Sequence, residues 1–493
     1  MEAGQQDFPM DPSHLSLFEE ARSLVRAGKA EPALVAYRRA LAAQPDSAGG
    51  WAEFGSLLLN LGLLDEAEQV SGKALELAPT HALAQLNTAY VHLRRGHHAE
   101  GAQVCRAALE KHPDDIDLSL ALCECLVKAG ELDQAQALLK GIIEREPAHT
   151  KARNLLGVVY LQQGNLEEIR RELESRLSAF TGISGEYQRA TLNLKFGDMP
   201  LGWKQYEARW QIPEFSDSEQ HHEGPRWDGK PYPGKSLLLF WEQGFGDTLQ
   251  MIRYAPMVKA LGGRLVVTVQ SQLADLVATC PGIDEVVPHG CALPDFDLQA
   301  PLMSLPWLFR TELASIPAEI PYLSVPRHVQ NRGALLAALA PSEGRLRVGM
   351  AWSGSTTHKN DLHRSMPAAC CAPLADLPGI AWHSFQVGGP QEPPFPDITP
   401  LAPLLSNFSD TAFALSAMDL LITVDTAVAH LAGALGIPTF LLVTAMPDWR
   451  WLMGRADSPW YPTMRIYRQP APGDWDGAIR LVLEDLLAAP ELD

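Results

Sequence analysis

A 34-residue interval governs the first third of the chain. Pro45, Pro79, Pro113 and Pro147 fall 34 apart, and Gly28, Gly62, Gly96, Gly130 and Gly164 keep the same interval. Small residues recur five positions after the glycines at Ala33, Ala67, Gly101 and Ala135, and seven later at Ala40, Ala74 and Ala108. A repeat of this length holds one helical hairpin. Glycine makes its turn, small residues let the two helices approach, and proline stops the second helix. Such a hairpin cannot bury its own apolar face, so neighbouring hairpins must stack into an α-solenoid. Units fall near 14–47, 48–81, 82–115 and 116–149. A fifth, 150–183, keeps Gly157, Tyr160 and Gly164 but has Ile169 at the small-residue position. The segment Tyr187 to Trp210 reads as an atypical capping pair, which takes the array from 14 to 210.

Trp51, Gly55, Gly62, Ala67, Ala74 and Pro79 fall on the motif positions of one unit of the tetratricopeptide (TPR) repeat, which this region resembles. The resemblance implies a surface that holds a protein partner. The alternative is an array that serves only folding or self-association. His92, His97 and His98 read as solvated surface.

Composition narrows the function class. The net charge of −19 argues against a non-specific nucleic-acid surface, which needs clustered Lys and Arg. The opening MEAGQQDFPMDPS has neither a basic region nor an apolar core, so it does not read as a secretory signal. No apolar run of about 18 residues exists, so no membrane span is expected. Seven cysteines, an odd number at low density, favour a reducing cytoplasm. Cys123-x-Cys125 and the Cys370-Cys371 pair lack zinc spacing and read as buried thiols.

Gln211 to Gly234 is rich in Pro, Gly, His and Asp and reads as a linker over 211–234. Beyond it the pattern alternates. Strands are expected at Ser236–Trp241, Leu265–Val269 and Glu285–Pro288, with helices at Thr248–Leu261 and Gln272–Thr279 between them. Pro326–Gly344 is a connection, and Leu346–Trp352 opens a second set. Leu420–Val424 and Pro438–Val443 are strands flanking a helix from Ala427 to Leu435. Alternating strands and helices imply parallel sheets with right-handed crossovers. The expected fold class is therefore α + α/β, with α/β sub-domains over 235–325 and 345–485 and a ligand cleft between them.

Four segments carry candidate chemistry. The first is Gly244-Phe245-Gly246-Asp247, at a strand-to-helix turn. The third glycine of a dinucleotide fingerprint would fall at Leu249, which excludes a Rossmann dehydrogenase. The glycines permit close ligand approach. Asp247 either accepts a proton from an attacking hydroxyl or simply caps its helix. The second runs from Trp352 through Ser353, Lys359 and Arg364 to Pro367, a loop dense in hydroxyls and cations. It either grips a diphosphate or is solvated surface. The third is the turn Asp425-Thr426-Ala427, where a helix start turns free N–H groups toward an anion. His430 lies one turn further on and is either a substrate contact or a satisfied core residue. A fourth cluster, Asp448-Trp449-Arg450-Trp451 with Ser458-Pro459-Trp460-Tyr461, either walls a sugar or base or forms a structural flap.

GFGD (244–247), RSMP (364–367) and VDTAVAHLAGALGIP (424–438) together resemble the heptosyltransferase-like glycosyltransferases, glycosyltransferase family 9. That resemblance implies a GT-B fold of two facing Rossmann-like domains, the first on the acceptor side and the second holding a nucleotide-sugar donor. It implies an inverting, metal-independent transferase with no cofactor, and gives Asp247 the role of base. Arg364 would contact donor phosphate, and Asp425, Thr426 and Ala427 would hold the nucleotide diphosphate. The family often has glycine where Ala427 stands. Gly244, Gly246, Ser353, Lys359 and His430 complete the expected donor site. Repeats joined to a GT-B domain also resemble protein O-glycosyltransferases, including the O-linked N-acetylglucosamine transferases and bacterial flagellin glycosyltransferases. The expected acceptor is thus a protein, such as flagellin or a surface protein. The competing readings are a non-catalytic TPR scaffold with a nucleotide-binding domain and a GT-B nucleotide-sugar epimerase.

Overall fold

The computed structural model describes residues 12–178, 180–216, 222–340, 344–354, 364–388 and 392–488. They form two compact units, divided after Gln163.

The first unit is a helical solenoid. Its helices pair as Pro12–Arg26 with Ala30–Ala43, Ala48–Asn60 with Leu64–Leu77, Ala82–Arg94 with His98–Leu109, and Ile116–Ala129 with Leu132–Arg145. Thr150–Gln162 follows. The periodic glycines turn each hairpin in the left-handed region: φ is +67° at Gly28, +76° at Gly62, +80° at Gly96 and +79° at Gly130. The periodic alanines 33, 40, 67, 74, 108 and 135 are at most 1% exposed, as close helix approach requires.

A second 34-residue series becomes visible in the structure. Ser47, His81, Asp115 and His149 each cap the helix that follows, and each side chain accepts the backbone N–H three residues on. The prolines stand two residues before these caps, and the carbonyls of Pro45, Pro79 and Pro147 accept side-chain donors six residues later. Trp51 Nε1 bonds Pro45 O at 2.8 Å, and Gln85 Nε2 bonds Pro79 O at 3.2 Å. Between units, buried Asn87 donates to Ala52 O at 2.7 Å and accepts from Ser56 Oγ at 2.9 Å.

The second unit opens with helices Leu166–Leu177, Gly182–Lys195 and Met199–Tyr206 and continues into two parallel sheets. Strands β1 (Ser236–Phe240), β2 (Arg264–Val269), β3 (Glu285–Pro288) and β4 (Leu298–Pro301) lie in the order β3-β2-β1-β4. Strands β5 (Leu346–Ala351), β6 (Ile380–Ser384), β7 (Ile398–Pro400), β8 (Leu420–Val424), β9 (Thr439–Val443) and β10 (Met464–Arg468) lie in the order β10-β9-β8-β5-β6-β7. Every ladder is parallel, in both sheets. The chain is therefore an N-terminal repeat solenoid and a C-terminal parallel-sheet α/β region.

Three boundaries differ from the sequence reading. The division after Gln163 groups the helices from Gly164 onward with the α/β region, and those at Gly182–Lys195 and Met199–Tyr206 bury their apolar faces in its core. Leu194, Met199, Trp203 and Tyr206 join one continuous core with Leu237, Leu265, Leu421 and Leu441. The expected linker is partly folded: Trp227 and Tyr232 are buried, and Trp227 N–H donates to Gln299 O on β4 at 2.8 Å. The helix expected over 248–261 is broken into Phe245–Met251, a 3-10 turn and Ala255–Ala260, where Pro256 occupies a first-turn position.

Arg253, 3% exposed, ties the region together. Nε donates to Gln250 O at 2.8 Å, Nη1 to Trp460 O at 2.5 Å and to Pro317 O at 3.3 Å, and Nη2 to Tyr322 Oη at 2.9 Å. Its guanidinium lies 4.5 Å from the centre of the Tyr461 ring.

Candidate functional site

The GFGD and VDTA turns, almost 180 residues apart in sequence, meet at the carboxyl ends of β1 and β8. Gly244 precedes helix Phe245–Met251, and its N–H donates to Asp247 Oδ2 at 2.8 Å. Asp247 thus caps its own helix, as the simpler reading of the motif expects. Its other oxygen, Oδ1, accepts from Arg450 Nη2. Gly246 faces helix Ala427–Leu435 so closely that an added Cβ would lie 2.6 Å from His430 Cδ2. The expected cleft is therefore filled here by two helices in contact, and glycine at 246 is what permits it.

His430 belongs to that packing. It is 4% exposed, bonds Tyr461 Oη through Nδ1 at 2.8 Å, and stacks on Trp451 with ring centres 5.0 Å apart. Burial, together with the charges of Arg450, Arg253 and Arg364, holds its pKa well below the ordinary value, so it is neutral at neutral pH. His430 is thus packed and hydrogen-bonded as a core residue.

Thr426 is the residue before helix Ala427–Leu435, with extended backbone (φ −139°, ψ 170°). No side chain among the described residues caps this helix. The amides of its first turn, Ala427 and Val428, point away from the helix end. Asp425 sits half-buried beside them. Burial and the negative charge of Asp448 push its carboxyl up to about 6.

Ser353 and Gly354 follow β5. One side chain, Gln386 beyond β6, organises them: its Oε1 accepts from Trp352 N at 3.1 Å and Ser353 N at 2.9 Å, and its Nε2 donates to Ser353 O at 3.1 Å. Gly354 N donates to Ser365 Oγ at 2.9 Å. The Arg364 guanidinium lies over Gly354, where an added Cβ would come within 2.7 Å of Nη2. Arg364 also acts on Asp425 and His430 through its charge. Ser353, Arg364, Asp425, Thr426, Ala427 and Asp247 are thus gathered in one region. Lys359 lies outside the described residues.

The centre of this region is Arg450, 9% exposed. Nη1 donates to Asp448 Oδ1 at 2.7 Å, Nη2 reaches Asp247, and the guanidinium covers Trp449 at 4.1 Å. Burial opposes its charge, but Asp247 and Asp448 outweigh that and hold its pKa above the ordinary value. The neighbouring aromatics do not wall a ligand. Trp449, Trp451, Trp460 and Tyr461 are at most 3% exposed, and Trp449 packs edge-on against Trp203 at 5.0 Å. Sequence reasoning placed Arg450 among candidate sugar contacts but missed its pairing with Asp247, 203 residues away. Gln386 was also missed, and no local pattern marks it. The arrangement joins uncapped helix amides and two arginines, which suit an anion, to the carboxylates of Asp247, Asp425 and Asp448.

Comparison with known proteins places the repeats firmly. Two tetratricopeptide repeat family models match, one over residues 92–148 and one over 18–79, 53–116 and 126–177. Protein FlbA of Caulobacter vibrioides is 25% identical over 94% of this chain and 83% of its own length, so the similarity runs through the α/β region as well. The CTR9 homolog of Arabidopsis thaliana is 30% identical over 26% of this chain and 12% of that protein. Among solved structures, MamA from Desulfovibrio magneticus RS-1 is 18% identical with a TM-score of 0.31, over 34% of this chain and 94% of that one. PilW, described as a widely conserved type IV pilus biogenesis factor, is 18% identical with a TM-score of 0.35, over 43% of this chain and 97% of that one.

Proposed function

We propose that the α/β region is a GT-B-type, inverting and metal-independent glycosyltransferase, and that the repeats hold its protein acceptor. The observation that carries this reading is the meeting of the GFGD and VDTA turns at the carboxyl ends of parallel strands, where α/β sheets bind ligands. In the proposed reaction Asp247 takes the proton of an acceptor hydroxyl. The oxygen then attacks the anomeric carbon, and the bond to the nucleotide diphosphate breaks with inversion. The amides of Ala427 and Val428, with Arg364 beside them, take up charge on the leaving diphosphate. Tetratricopeptide repeats commonly bind protein partners, which supports a macromolecular acceptor.

A second reading has its own observation. Both oxygens of Asp247 are engaged, one by Gly244 N–H and one by Arg450, which suits a structural cap in a non-catalytic scaffold. Mass spectrometry of candidate acceptors, co-expressed with the wild type or with Asp247→Ala, separates the two. The transferase reading expects a sugar mass on the acceptor that the variant abolishes while still binding nucleotide. Undiminished transfer by Asp247→Ala would remove Asp247 from the chemistry. A wild type that neither transfers sugar nor binds any nucleoside diphosphate would select the scaffold.

A further inference from the structure

We propose that Arg450 is a positioning residue shared between Asp247 and the ligand: it holds Asp247 through Nη2 and exchanges that contact for the diphosphate when a nucleotide binds. This inference rests on the nucleotide-sugar reading above. Arg450 is buried among the gathered residues, and two carboxylates, Asp247 and Asp448, accept from its two Nη atoms. Its anchor to Asp448 is local and doubled, because the Arg450 N–H also donates to Asp448 Oδ1 at 3.1 Å. Its bond to Asp247 reaches across 203 residues and is single. A guanidinium fixed through Nη1 to Asp448 and by stacking on Trp449 keeps its Nη2 face available to whichever anion competes best. A diphosphate carries more charge than one carboxylate and accepts bidentately. Its arrival would draw Nη2 from Asp247 and leave that carboxylate with one oxygen unoccupied, the state a base requires. The acceptor hydroxyl is then deprotonated only when donor is present, which suppresses idle chemistry.

The inference predicts effects of opposite sign at two residues that touch each other. Arg450→Gln removes a charged donor to phosphate and should weaken nucleoside diphosphate binding by about 10- to 100-fold. Asp247→Asn removes the competing carboxylate and should tighten the same binding several-fold. Arg450→Lys keeps the charge but not the fork and should fall between. The measurement is isothermal titration of the full chain with UDP, GDP, CDP and ADP in turn, at fixed salt. Opposite shifts support the exchange. Equal affinities in all variants, with only a lower melting temperature, would make the pair a purely structural clamp and overturn it. Weakening by both Arg450→Gln and Asp247→Asn would also overturn it, since Asp247 would then assist binding. If Arg450→Gln fails to fold, the sign of the Asp247→Asn shift decides alone. A wild type that binds none of the four defeats the nucleotide reading itself, whereas normal wild-type binding without opposite shifts defeats only the exchange.

Discussion

Gly246 separates packing from ligand binding in one substitution. Gly246→Ala adds a methyl group at the second position of helix Phe245–Met251, and alanine there should favour the helix by about 0.5–1 kcal/mol. The new Cβ, however, would lie 2.6 Å from His430 Cδ2 and 3.3 Å from Nε2. The imidazole has little room to yield, since it stacks on Trp451 and is bonded to Tyr461 Oη. Overpacking of this kind costs about 1–3 kcal/mol, so the net loss should be roughly 1–2 kcal/mol. His430→Ala alone should cost about 2–4 kcal/mol through a cavity and an orphaned Tyr461 hydroxyl. The double variant should recover the overlap, giving a favourable coupling of about 1–2 kcal/mol. Urea unfolding followed by tryptophan fluorescence reports the right region, because eleven of the twelve tryptophans lie beyond residue 163. A Gly246→Ala protein with an unchanged or raised midpoint, but impaired nucleotide binding, would refute the packing account. The glycine would then be making room for a ligand and not for His430.

Three further outcomes are expected. The folded protein keeps a proton on Asp425 up to about pH 6, against an ordinary value of 3.8, so its stabilising contribution is complete below about pH 4 and lost as pH rises through 6. Asp425→Asn should therefore raise stability at pH 7, on the order of 1–2 kcal/mol, and flatten the pH profile between 4 and 7 in thermal melts. Glu242→Ala leaves Arg209, fully buried and bonded through Nε to Glu242 Oε1 at 2.9 Å, with only Glu207 as a carboxylate partner. That should cost about 3–5 kcal/mol by urea unfolding, and a loss below about 1 kcal/mol would show that water enters to solvate the guanidinium. Gly96→Ala meets no neighbour within 4 Å but forces alanine to φ +80°, so a loss of about 1–2 kcal/mol in a circular dichroism melt isolates backbone strain.

The solenoid was legible because its signals are local and repeated. Each turn glycine and crossing alanine solves the same steric problem in every unit, so the period shows through sequence drift. The caps at His81 and His149 escaped notice because histidine is an uncommon cap, though the 34-residue spacing from Ser47 and Asp115 was there to find. In the α/β region, strands β1, β2, β5, β8 and β9 read well because burial on both faces selects continuous apolar runs. Strands β4, β7 and β10 are edges, short or polar on one face, and β6 carries His383. They left no such run. The candidate site was legible as separate turns. The contacts that define it, Asp247 with Arg450, Gly246 with His430 and Ser353 with Gln386, are tertiary and have no local signature.

Arg253 bears on how a ligand could enter. It bonds a carbonyl of its own helical segment and the carbonyl of Trp460, which precedes β10 of the other sheet, inside a core that runs through both sheets. Swinging one sheet away from the other as a rigid lobe would strand a buried guanidinium and expose that shared core, so a large hinge opening is energetically closed to this chain. On the nucleotide-sugar reading proposed above, a ligand would have to enter without separating the two sheets. The two sheets then act as one fixed platform.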